Sequence, residues 1–164
     1  RIRFRGKLGA MKIPMQIDVG FGDELYPPPI KVKLPSMLGF DTPYLLAYSP
    51  ETSIAEKAQA IVYLGQLNSR MKDFYDIALF TKALQLNEAV LIEAIARTFK
   101  NRKTDIDTNS VVFTDDFLND ESKQREWLAF LGKRNIEDAP KSFTSVAKEV
   151  MSFLKPLFEK AKSV

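Results

Sequence analysis

Charged and apolar side chains alternate over the first eight positions, with Arg1, Arg3, Arg5 and Lys7 set against Ile2, Phe4 and Leu8. A period of two puts the charges on one face of a strand and the apolar residues on the other. Lys7-Leu8-Gly9-Ala10 reads as a turn. Met11, Ile13, Met15 and Ile17 then alternate with Lys12, Pro14, Gln16 and Asp18, which predicts a second strand paired with the first as a hairpin. Pro14 has no N–H to give, which favours an edge position. Gly20 and Gly22 close the strand. Tyr26-Pro27-Pro28-Pro29 is extended, because each proline turns the residue before it away from the helical region. Ile30, Val32 and Leu34 alternate with Lys31 and Lys33 in a further short strand, and Tyr44 to Tyr48 supply one more.

The period changes at Ser49. Ile54, Ala58, Ile61 and Val62 fall at helical spacing, so a helix capped by Thr52 or Ser53 should run to about Leu64. Gly65 to Ser69 connect it to a second helix over residues 70–85. Asn87 caps a third, through Leu91, Ile95 and Phe99 to about Lys100, and residues 101–113 form a loop. A fourth helix is expected from Asp115 through Phe117, Trp127 and Leu131, stopped by Gly132. The last is capped by Ser142 or Thr144 and carries Pro156, a source of a kink. Strands first and helices afterwards make an α+β chain, divided into a β-rich part over residues 1–50 and a helical part over 51–164. No internal repeat or low-complexity segment is visible.

Composition narrows the chemistry. The 164 residues hold no cysteine and no histidine. Thiolate nucleophiles, disulfides, zinc ribbons, Ser-His-Asp triads and histidine-bound metals are thereby excluded. What remains is carboxylate, lysine, arginine, tyrosine and hydroxyl chemistry. No run of 18 apolar residues exists to cross a bilayer and no signal peptide is visible, so cytosol is the default compartment. A formal net charge of +3 is too weak to argue nucleic-acid binding on its own. Its distribution says more: residues 1–12 are basic with no acid, and Arg97, Lys100, Arg102 and Lys103 form a second basic cluster. The plain alternative is solvated faces of mixed sign.

The informative residues are polar ones at apolar positions. Lys57 shares a stripe with Ile54, Ala58, Ile61 and Leu64, so its ammonium must either snorkel outward or meet an anion. Asp73 and Asp76 share a stripe with Ile77, Phe80 and Leu84 and project the same way, three residues apart. A helix dipole explains an acid in the first turn, and covers Asp73 better than the deeper Asp76. Arg70 and Lys72 stand just before them. Two cations and two anions at one helix start suit either structural salt bridging or a site that binds phosphate and handles a proton or a metal. Asp18 ends a strand beside a glycine turn. That is a common way to offer an oxygen to magnesium, although a solvent-facing strand residue looks the same.

The run Ile17-Asp18-Val19-Gly20-Phe21-Gly22-Asp23, the Pro27–Pro29 triplet, Glu51-Thr52-Ser53-Ile54-Ala55-Glu56-Lys57 and Asn68-Ser69-Arg70-Met71-Lys72-Asp73-Phe74-Tyr75-Asp76 together resemble the AbiEii/AbiGii toxin family of nucleotidyltransferases. The A-E-K and R-x-K-D-x-x-D elements stand in the family's order. Residues 81–164 resemble its helical C-terminal region more loosely, with Trp127 and Phe130 in place. The resemblance implies a partial DNA-polymerase-β-like fold in which strand carboxylates hold magnesium during transfer of a nucleotide from NTP to an acceptor, tRNA being one candidate. In it, Asp18 matches a metal-binding strand carboxylate. Lys57 matches the lysine that meets the nucleotide's phosphates, and Asp73 the acid of the helical motif; these two are the catalytic candidates. Arg70, Lys72 and Asp76 match neighbours in the same motif and join Lys57 as nucleotide-binding candidates. All six are expected in one pocket.

One departure matters. The family's first motif, a glycine-serine or glycine-threonine turn followed by D-x-D, is absent, and Arg1 is not a start. The expectation is a C-terminal portion whose full-length parent is the enzyme, the portion alone being inactive. The resemblance also implies the toxin of a toxin–antitoxin or phage-defence pair, with a cognate antitoxin protein as partner. Two other readings stand beside it: a non-catalytic module that docks nucleic acid through the basic residues 1–7 and 97–103, and a helical scaffold that binds a partner protein.

Overall fold

The computed structural model describes residues 1–22, 25–36 and 39–164. The alternation at the N-terminus becomes an antiparallel ribbon of β1 (Ile2–Leu8) and β2 (Met11–Ile17). Its register sets Ile2 opposite Ile17, Phe4 opposite Met15, Gly6 opposite Ile13 and Leu8 opposite Met11. Directly opposed residues share a face, so one face is an apolar row. The other carries Arg3 opposite Gln16, Arg5 opposite Pro14 and Lys7 opposite Lys12. Gly9 makes the turn at φ 57°, a left-handed conformation that costs glycine little and other residues more. A second, separate ribbon pairs β3 (Ile30–Lys33) with β4 (Tyr44–Ala47), Ile30 opposite Ala47 and Lys33 opposite Tyr44.

The core is helical. It is built from α1 (Pro50–Leu64), α2 (Met71–Ala83), α3 (Glu88–Asn101), α4 (Asp115–Leu118), α5 (Glu121–Arg134) and α6 (Phe143–Ala161), with 3₁₀ turns at Gly65–Leu67 and Val111–Phe113. Helix α1 packs on α3 and α2, and α6 lies against the same two. Ile54, Phe74, Ile95, Trp127, Phe143 and Phe158 are fully enclosed between them. Edge-to-face ring pairs knit this core. Phe74 meets Phe143 and Phe99 meets Phe158, each at 5.2 Å between centroids, a geometry the ring quadrupole favours. The chain is therefore α+β, as its periodicities predict.

Three boundaries differ from expectation. Helix α1 is capped by Ser49, whose side chain accepts from Thr52 N at 3.1 Å, with Pro50 in the first turn. Proline suits that turn because the N–H it lacks would find no partner there. The expected fourth helix is two. Asp120 interrupts it and caps α5 by accepting from Ser122 N at 2.7 Å. Helix α5 then runs past Gly132 and ends at Asn135, which takes the left-handed conformation common at helix ends.

Gly22 and Tyr26 are tied to the bundle. Thr52 Oγ1 donates to Tyr26 O at 2.7 Å, Asn101 Nδ2 donates to Gly22 O at 3.1 Å, and the Arg97 guanidinium stacks 4.4 Å from the Tyr26 ring centroid.

Candidate functional site

A cap and a turn fix the site. Ser49 caps α1, and Asn68 braces the turn that leads into α2 by accepting from Arg70 N at 2.7 Å. Lys57 then stands on the second turn of α1, facing the first turns of α2. Its Nζ lies 3.0 Å from Asp73 Oδ1 and 2.6 Å from Asp76 Oδ2. The lysine does not snorkel away from the acids; it bridges them. Arg70 Nε lies 2.9 Å from Asp73 Oδ2, within ion-pair range but without the alignment of a hydrogen bond. Lys72 pairs with Asp76.

Exposure orders the cluster. The side chains of Asp73, Asp76 and Lys57 are 3%, 12% and 19% exposed, whereas those of Arg70 and Lys72 are 57% and 58% exposed. An inner ammonium and two acids are thus flanked by two outer cations. Burial by itself would lower the Lys57 pKa, because it penalises the charged form. Hydrogen bonds to Asp76 and Asp73, with the charges of both acids, outweigh burial and hold it above its ordinary value. Lys57 is therefore a fixed cation.

Beside this cluster opens a cleft of about 380 Å³ lined by Tyr48, Ser53, Glu56, Lys57, Arg70 and Arg102. Sequence reading reached Lys57 and Arg70 as site residues and missed the other four. Ser53 and Glu56 were within reach, since Ser53 lies one helical turn before Lys57. Arg102 was seen only as part of a basic cluster. In the fold that cluster divides: Arg97 turns to Glu93 and Tyr26, and Arg102 turns to the cleft. There its Nη1 donates to Gln59 Oε1 at 3.1 Å and its Nη2 lies 3.2 Å from Glu56 Oε1. A larger hollow of about 590 Å³ lies between the C-terminal ends of α3 and α6 and holds none of the residues that meet Lys57.

Asp18 is not gathered in with the others. It closes the open end of the ribbon, accepting from Arg1 Nε at 2.7 Å and from Gln16 Nε2 at 2.9 Å. Asp23, at the end of the same run, lies outside the described residues. Among the described residues no three acidic side chains cluster as a metal site. Asp73 and Asp76 present their oxygens to ammonium and guanidinium groups. The described donors therefore do not fit magnesium, and the cleft offers cations rather than open carboxylates.

Comparison with known families places the chain among the nucleotidyltransferase toxins. The matching family model is described as nucleotidyl transferase AbiEii toxin, type IV toxin–antitoxin system, and it covers residues 1–149. The chain belongs to the AbiEii family. No curated protein and no solved structure matches it. No described helix is long and apolar enough to cross a membrane.

Proposed function

We propose that the cleft beside Lys57 takes the triphosphate of a nucleotide, and that the chain serves a nucleotidyltransferase toxin that moves a nucleotide from NTP to an acceptor. The observation that carries this reading is the bridge from Lys57 to Asp73 and Asp76. It supplies an ammonium whose charge and position are both fixed at the cleft wall. Phosphoryl transfer asks a protein mainly to position phosphates and neutralise them, and a site preorganised by buried acids does so without reorganising. In this reading Lys57 and Arg70 contact phosphate oxygens. Asp73 and Asp76 hold those cations in place, and Lys72 balances Asp76. The magnesium expected for the full-length protein finds no open carboxylate among the described residues of this cleft, and transfer by this chain alone is expected to be weak. The counterpart expected for a type IV toxin is an antitoxin.

The test is titration of the chain with ATP, CTP, GTP and UTP before and after Lys57→Ala. Loss of a charge-assisted contact predicts weakening by about tenfold or more. Equal affinity would refute the phosphate role.

The charged face of the β1–β2 ribbon favours a second reading, docking of the acceptor as a nucleic acid. Arg3, Arg5, Lys7 and Lys12 stand on one face of it. If they bind phosphates, affinity for tRNA falls steeply with rising salt, and replacing Arg3 and Arg5 by alanine lowers the salt slope by about two. A slope unchanged by the double substitution would remove the ribbon from the interface.

A further inference from the structure

We propose that Arg102 is a second phosphate-binding residue of the cleft, brought to it from the end of α3 and held there by Glu56 and Gln59. The proposal deepens the reading of the cleft as a triphosphate site and rests on it. Three observations carry it.

Arg102 lines the cleft together with Lys57, Arg70 and Ser53. Its guanidinium therefore fronts the same space as the two cations already assigned to phosphate. The three come from separate elements: Lys57 from α1, Arg70 from the start of α2, and Arg102 from the cap of α3.

The guanidinium is also held in orientation. Glu56 and Gln59 lie three residues apart on α1, so their side chains project together, and they meet Nη2 and Nη1 at 3.2 and 3.1 Å. Gln59 is itself buried and is fixed from its other end, donating from Nε2 to Thr104 Oγ1 at 2.7 Å. Thr104 in turn donates to Arg102 O at 3.3 Å. The loop after α3 and the face of α1 thus hold one another through a polar chain that ends at the guanidinium. A guanidinium is planar and always charged, and it suits the paired oxygens of a phosphate.

The third observation is one of sequence position. Glu56 and Lys57 are consecutive. Glu56 turns to Arg102, and Lys57 turns to Asp73 and Asp76. Each of the two cations nearest this turn of α1 is therefore positioned by an acid, with the open cleft beside both.

The experiment is calorimetric titration of the whole 164-residue chain with inorganic triphosphate and with ATP. The variants are Arg102→Ala, Arg102→Lys, Glu56→Ala and Lys57→Ala, with a thermal melt of each. Contact with phosphate predicts that Arg102→Ala weakens both probes by about tenfold, and that Arg102→Lys falls between it and the wild type because it keeps the charge and loses the fork. Glu56→Ala removes the acid that orients the guanidinium but leaves its charge in the cleft, and should weaken both probes less than Arg102→Ala does. A merely structural ion pair predicts something else: Arg102→Ala and Glu56→Ala lower the melting temperature together and change binding alike. That result would overturn the proposal, as would Arg102→Ala and Arg102→Lys binding triphosphate as the wild type does. If Lys57→Ala loses binding and Arg102→Ala does not, this inference fails and the reading of Lys57 stands. If the reverse holds, Lys57 is displaced and Arg102 stands. Triphosphate that does not bind the wild-type chain refutes both.

Discussion

Lys57 is an ammonium with most of its side chain out of water, and its stability rests on two acids that are even less exposed. Replacing it by methionine keeps the volume and leaves those acids with only the outer Arg70 and Lys72. Removing one partner of a buried ion pair is costly because the other charge stays behind. With two cations still in place, the expected loss is about 2–3 kcal/mol, read from a denaturant or thermal melt. The sign of the pH dependence follows from the raised pKa. The unfolded lysine titrates near the model value of 10.5 and the folded one above it. Its contribution is therefore complete below about pH 10.5 and disappears as pH rises through the folded value. The Lys57→Met protein should show less alkaline destabilisation than the wild type, and identical profiles would sever Lys57 from its acids. Lys57, Asp73 and Asp76 were legible because each interrupts an apolar helical stripe. Arg102 interrupts no stripe, and its role depends on the packing of α1 against α3.

At the scale of elements, capping decides where helices begin, and it decides against the simplest periodic reading twice. Ser49 outcompetes Thr52 and Ser53 for α1 because Pro50 fits the turn that follows it. Asp120 splits an otherwise continuous amphipathic run because its carboxylate answers the free N–H groups of α5. The Asp120 pKa is lowered by its hydrogen bonds to the Ser122 side chain and backbone, which favour the ionised acid. Its contribution to stability is accordingly present above the unfolded value near 3.8 and fades as pH falls through the lower folded value. Asp120→Ala should cost about 1 kcal/mol near neutral pH and shrink towards zero in strong acid. A loss that persists undiminished at low pH would mean that the carboxylate is not the cap. The strands were easier to read than these helix ends. Their period is two residues, and proline and glycine at their margins leave little room for another register.

Over the whole molecule, the two parts of the chain differ in how they are held. The helices share one aromatic core around Trp127, whose indole Nε1 donates to Pro140 O at 2.8 Å. The β1–β2 ribbon packs on itself, and Phe4, Ile13, Met15 and Ile17 on its apolar face are 42% to 50% exposed. The single tryptophan therefore reports on the bundle alone. Removing residues 1–18 should move the unfolding midpoint followed by its fluorescence by less than about 2 °C. A large fall would show that the ribbon supports the core. The sequence by itself determined the order of strands and helices, the absence of thiol and imidazole chemistry, the family, and the lysine and two acids that break their stripes. Those features repeat over a few residues or lie within one motif, where local sterics and side-chain period govern. Tertiary structure alone decided that Lys57 bridges both acids and that Arg102 shares its cleft. Both are contacts between separate helices. They follow from which helix faces pack together, and no local period encodes that.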